Sequence, residues 1–108
     1  MPRYNFGDIV ILPFYYTDLL SAKRRPALVL LDADDGDIVA ARITSKKNET
    51  PYDLAIKNWK DAGLLSPSFV RLHKLSTISK THIIKSLGKI TEHDLQKIRT
   101  LFPKIISR

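Results

Sequence analysis

A chain of 108 residues without a cysteine has room for one domain with a real core, and it excludes disulfides, thiolate zinc sites and cysteine nucleophiles. Its 18 Lys+Arg against 11 Asp+Glu give a formal charge of +7, which suits a polyanion such as a phosphate backbone and also admits an acidic protein or an anionic membrane surface. No stretch approaches the roughly 20 apolar residues of a membrane span, and the Met1–Asn5 start lacks the apolar run of a secretory signal, so the chain reads as cytosolic.

Gly7-Asp8 opens a strand-like run, Ile9 to Phe14, that ends around Pro13. Tyr15 to Arg25 is polar and basic and reads as a loop. Pro26 to Leu31 is nearly continuous in apolar residues, the pattern of a central strand buried on both faces. Asp34-Asp35-Gly36 is a turn signal, and Asp37 to Thr44 follows as a third strand, so the two runs should form an antiparallel hairpin. Ser45 to Pro51 is a polar loop. Tyr52 to Ile56 alternates weakly as a fourth strand, and Asn58 to Ala62 suits a helical turn stopped by Gly63. Trp59 in that turn is expected to pack on the core. Ser68 to Leu75 is a fifth strand with Phe69, Arg71, His73 and Leu75 on one face.

The last third reads as helical. Thr81 to Leu87 carries Ile83, Ile84 and Leu87 at helix spacing before Gly88, and Lys89-Ile90 suits a short strand. Thr91 is an N-cap candidate, with Glu92 and Asp94 in the first turn of a final helix. Leu95, Ile98, Leu101 and Phe102 form its apolar stripe, and Pro103 is expected just past its end. The sum is one mainly β domain with helical additions, an open or closed barrel.

Several segments together resemble the MazF/PemK toxins. They are Gly7-Asp8-Ile9-Val10, Arg25-Pro26-Ala27-Leu28-Val29, Ala40-Ala41-Arg42-Ile43-Thr44-Ser45, and Phe69-Val70-Arg71-Leu72 followed by Ser76-Thr77-Ile78. Leu87-Gly88-Lys89-Ile90 before a terminal helix also fits. Each motif is weak alone; their order and spacing match from residue 6 to about residue 102. The resemblance implies an SH3-like β-barrel of the MazF/CcdB type with a C-terminal helix. It also implies a homodimer, a cognate antitoxin partner, and sequence-selective cleavage of single-stranded RNA to 2′,3′-cyclic phosphate and 5′-hydroxyl ends.

RNA can be cut by metal ions on clustered carboxylates or histidines, or by its own 2′-hydroxyl with a base, an acid and a cation at the phosphate. His73, His82 and His93 lack ligand spacing, and Asp32, Asp34, Asp35 and Asp37 sit on a turn where carboxylates cap backbone, so neither a metal nor another cofactor is expected. Arg25 precedes a proline, which favours extended backbone and presents the side chain at a loop-to-strand junction. Its guanidinium can hold two phosphate oxygens and stays charged. The family's critical arginine falls here; the plain alternative is a solvated arginine beside Lys23 and Arg24. Thr44 and Ser45 can donate hydroxyls to a non-bridging oxygen, or simply cap a strand end. Arg71 and His73 share a strand face. Part of the family pairs this arginine with an aspartate as acid and base, and His73 stands in the aspartate's place. A histidine is a good base at neutral pH, yet it could equally be a passive replacement. Tyr15, Lys23, Arg24, Lys46 and Lys47 are candidates for binding substrate bases and backbone. Two other outcomes stay open: a gyrase-binding toxin like the related CcdB, and an RNA-binding barrel whose cleavage has decayed.

Overall fold

The computed structural model describes residues 2–15, 22–47 and 49–107, without the side chains of residues 14, 15 and 22. Six strands follow one another: β1 Asp8–Tyr15, β2 Ala22–Asp32, β3 Asp37–Thr44, β4 Asp53–Ile56, β5 Ser68–Ser79 and β6 Lys85–Lys89. A single helix, α1, spans Glu92–Ile106. The strands make one antiparallel sheet in the order β4-β5-β3-β2-β1-β6.

The unbroken apolar runs of β1, β2 and β3 follow from burial on both faces of the sheet. One cluster holds Ile9, Leu28, Ala41, Ile43, Val70 and Leu72 beneath Leu95 and Ile98 of α1, with Trp59 packed on its margin. The other holds Val10, Leu12, Ala27, Val29, Ile38 and Ala40, covered by Tyr4, Ile78 and Ile83. Burying one such side chain is worth roughly 1.5–3 kcal/mol, so the two clusters dominate folding. The sheet curls into a half-barrel because the segment after β4, at one edge, touches β6, at the other. A Cβ on Gly63 would stand 2.7 Å from the Leu87 carbonyl oxygen, and one on Gly88 2.5 Å from that of Ala62. Only glycines allow this seam. Gly63 also has φ +88°, and it ends the helical turn in which the Ala62 N–H donates to the Asn58 carbonyl at 3.2 Å.

Two polar clamps hold the periphery. The Asp32 carboxylate accepts from the amides of Tyr4 (2.8 Å) and Asp34 (3.0 Å) and pairs with the buried Lys80 ammonium at 2.7 Å. The hydrogen bond from Lys80, then those from the two amides, hold the Asp32 carboxyl well below the usual carboxylate range. Asp94, buried in the first turn of α1, accepts from the amides of Lys57 (3.1 Å) and Asn58 (3.0 Å). It therefore ties the helix to the post-β4 segment rather than merely complementing the helix dipole. Thr91 is the N-cap residue by backbone geometry but makes no side-chain cap bond.

Several expectations are corrected. Lys23, Arg24 and Arg25 are not loop residues: β2 begins at Ala22 and pairs them with Phe14, Pro13 and Leu12. Pro13 lies within β1, at a point where β1 pairs with β2 but no longer with β6, so its missing N–H disturbs no ladder. Thr81 to Leu87 is not a helix. After a 3-10 turn at Lys80–His82 the chain enters β6, because β1 offers an open edge that helix spacing in one segment cannot reveal. Pro103 lies inside α1 rather than beyond it; three residues from the helix end, it removes one backbone bond and the helix still reaches Ile106.

Candidate functional site

A groove of about 650 Å³ opens at the end of the sheet where β2 begins and β3 ends. Arg24, Arg25, Arg42, Thr44, Ser45 and Lys46 all line it. Two chain segments far apart in sequence thus bring their cations and hydroxyls to one cavity. The rest of the lining comes from Ile11, Pro26 and Ile43 of β1–β3, Gly63 to Ser66, Ser68, and Ile84, Lys85 and Leu87 around β6.

Arg25 is half-buried, and its side chain makes no hydrogen bond or ion pair with any other described residue. Its fork is therefore available to an anion. The Thr44 Oγ1 accepts from the Lys46 amide at 3.1 Å, which anchors the oxygen while its own hydrogen stays available to donate. Ser45 and Lys46 are exposed beside it. Arg42 was not singled out from the sequence, although the signal was present: two residues before Thr44 on one strand, it shares Thr44's face.

Arg71 and His73 do not line the groove. In the ladder Arg71 stands opposite Arg42 on one side and Asp53 on the other, and Asp53 wins it: Arg71 Nε donates to the buried Asp53 carboxylate at 3.0 Å. Asp53 also accepts from the Thr50 hydroxyl. The β3–β5 register jumps from Ala41↔Leu75 to Arg42↔Arg71, so residues 72–74 have no partner on β3 and the strand bows there. His73 follows that bow. Its Nε2 lies 3.4 Å from Arg71 Nη2, its ring packs on Tyr52 at 5.1 Å, and its buried Nδ1 has no partner among the described residues. With a guanidinium as donor, Nε2 is the acceptor, which assigns the hydrogen to Nδ1.

Lys23 and Lys47 are exposed but outside the groove lining. The Tyr15 side chain lies outside the described residues. Among the described residues, no three His, Asp or Glu side chains converge as metal ligands.

Residues 5–106 match the family described as PemK-like, MazF-like toxin of type II toxin-antitoxin system. The chain belongs to this PemK/MazF toxin family. A comparison with curated protein sequences gives no match. Solved structures share the PemK/MazF fold. A MazE–MazF crystal structure from Deinococcus radiodurans is 21% identical, with 96% of each chain covered and a TM-score of 0.77. An endoribonuclease from Mycobacterial species is 22% identical over 99% of this chain and 94% of its own, with a TM-score of 0.76. Another Mycobacterial endoribonuclease, in complex with its cognate antitoxin, is 21% identical over 94% and 92%, with a TM-score of 0.74.

Proposed function

We propose that this PemK/MazF toxin is a metal-independent endoribonuclease that cuts single-stranded RNA at selected sequences. The observation that carries the reading is the meeting of Arg25 and Thr44, from different strands, in one groove with Arg24, Arg42, Ser45 and Lys46. The scissile phosphate takes the Arg25 fork on two oxygens, and the Thr44 hydroxyl donates to a non-bridging oxygen. The 2′-hydroxyl, held in line, loses its proton to a base and forms the new O–P bond. The 5′-oxygen leaves with a proton from an acid, giving a 2′,3′-cyclic phosphate and a 5′-hydroxyl. Charge builds on the phosphate oxygens as attack proceeds, so Arg25 acts most strongly in the transition state.

Arg71 and His73 supply the proton transfers in this reading, one strand from Thr44. The Nε2 of His73 already accepts from Arg71, so substrate must draw that guanidinium aside before the ring can take a proton. The physiological setting follows the family: a homodimer in the cytoplasm, neutralised by a cognate antitoxin protein.

A second reading has one observation in its favour. Arg71 is held by Asp53 and His73 stands outside the groove, as in a barrel that binds RNA without cutting it. One experiment separates the two. Purified protein and an Arg25→Ala variant are incubated with long single-stranded RNA in EDTA. Cleavage by the wild type alone, with cyclic-phosphate ends, establishes the nuclease. RNA bound but left intact establishes the non-cutting barrel.

A further inference from the structure

The groove lining is unevenly divided. The ends of β2 and β3 bring Arg24, Arg25, Arg42, Thr44 and Lys46. Facing them are the apolar Leu65 on the loop before β5 and Ile84 and Leu87 at β6, with Ser66, Ser68 and the cation Lys85 among them. Of the five exposed large apolar side chains among the described residues, two, Leu65 at 97% and Ile84 at 40% exposure, lie in this one cavity. Single exposed leucines are ordinary; Leu65 differs in how firmly it is presented. Leu64 beside it is buried in the core, Gly63 is seated against Leu87, and the Ser68 hydroxyl holds the Ser66 carbonyl at 2.9 Å. The loop is stapled on both sides of a side chain that is almost wholly exposed.

A nucleotide has the same division, an anionic phosphate on one side of the ribose and a flat apolar base on the other. We propose that Leu65, with Ile84 in the same groove, receives the base flanking the scissile phosphate and so helps to decide which RNA sequence is cut. The assignment rests on the endoribonuclease reading. The occupant is an RNA base rather than a protein segment because Leu65 and Ile84 line the same groove as Arg24, Arg25, Arg42, Thr44, Lys46 and Lys85, on a chain of net charge +7. Proteins that read a base extruded from its stack hold it between aromatic or apolar side chains.

Leu65→Ala tests this without risk to the fold, since the side chain is almost fully exposed. Cut sites of the wild type and the variant are mapped on a long mixed-sequence single-stranded RNA. Then kcat and KM are measured on an oligonucleotide carrying the preferred site, and on copies with an abasic residue at each flanking position. The variant should raise KM about five- to tenfold, with kcat within about twofold, as expected for an apolar contact withdrawn from a base face. Its base preference should flatten at one flanking position, and the difference from wild type should vanish on the copy abasic there. Identical maps and KM values overturn the proposal, as does a difference that persists on every abasic copy. RNA left intact by the wild type overturns the nuclease reading instead, and this assignment falls with it.

Discussion

Replacing Asp94 by Asn removes a charge while keeping the volume, so no cavity confuses the result. The Asp94 side chain is 1% exposed and its two oxygens receive the Lys57 and Asn58 amides. Hydrogen bonds to a charged group contribute about 1.5–3 kcal/mol each, so the pair is worth roughly 3–6 kcal/mol. An Asn keeps one acceptor and turns an NH2 toward an amide that needs one, so about half of that sum, roughly 1.5–3 kcal/mol, is lost, and the amide left facing a donor costs about 1–3 kcal/mol more. The nearby Lys97 ammonium, 3.7 Å away and partly exposed, adds little. A fall of about 3 kcal/mol is a large share of the roughly 5–15 kcal/mol available to a small domain. It corresponds to a Tm lower by about 12–24 °C. Urea unfolding should show a lower midpoint with an unchanged slope. Because residues 57 and 58 lead into the loop that carries Leu64 and Leu65, KM for RNA should rise as well. A stability loss below about 1 kcal/mol would refute the reasoning, since it would mean that water replaces the carboxylate at those amides.

Four further outcomes are expected. Asp32 has its carboxyl depressed by the Lys80 hydrogen bond, so its stabilisation is fully present above the ordinary carboxyl value near 3.9 and is lost as pH falls through the lower folded value. Urea melts of the wild type and Asp32→Asn should therefore differ by a constant amount from neutral pH to about 4 and converge in stronger acid. Gly63→Ala, with φ +88° and a Cβ 2.7 Å from a carbonyl oxygen, should lose more than about 1 kcal/mol and weaken RNA binding, both read on the same preparation. Arg25→Lys keeps the charge but loses the two-pronged grip; single-turnover cleavage should slow by roughly a hundredfold, and wild-type rates would remove Arg25 from the transition state. His73→Ala should cut kcat by at least about a hundredfold if the imidazole is the base, and a change under about threefold would hand that role to another group.

The sequence was most legible where one short segment decides its own form. Asp37–Thr44 is a strand with the expected bounds, Asp34 and Gly36 take the positive φ angles of their turn, and Gly63 stops the helical turn before it. The family resemblance from residue 6 to about 102 agrees with the matched span 5–106. Residues whose state depends on distant partners were misread. Ile83, Ile84 and Leu87 have helical spacing, yet the open edge of β1, some 75 positions away, makes the segment a strand. Lys23 to Arg25 look like loop by polarity; they extend because residues 12–14 give them a ladder. For the candidate site, Arg24, Arg25, Thr44, Ser45 and Lys46 line one groove, a convergence of β2 and β3 that no single motif states. Alternation placed Arg71 and His73 on one face and the structure brings them within 3.4 Å, but nothing local announced that Asp53, from another strand, would hold Arg71.

The pairing of β1 with β6 sets an order of assembly. Lining residues run from Ile11 to Leu87, so a chain growing on the ribosome carries its arginines and Thr44 long before the groove has its final wall. Until β6 has emerged, β1 has an unpaired edge and the groove lacks Ile84, Lys85 and Leu87. A nascent or prematurely terminated copy that stops before β6 therefore lacks a finished cavity.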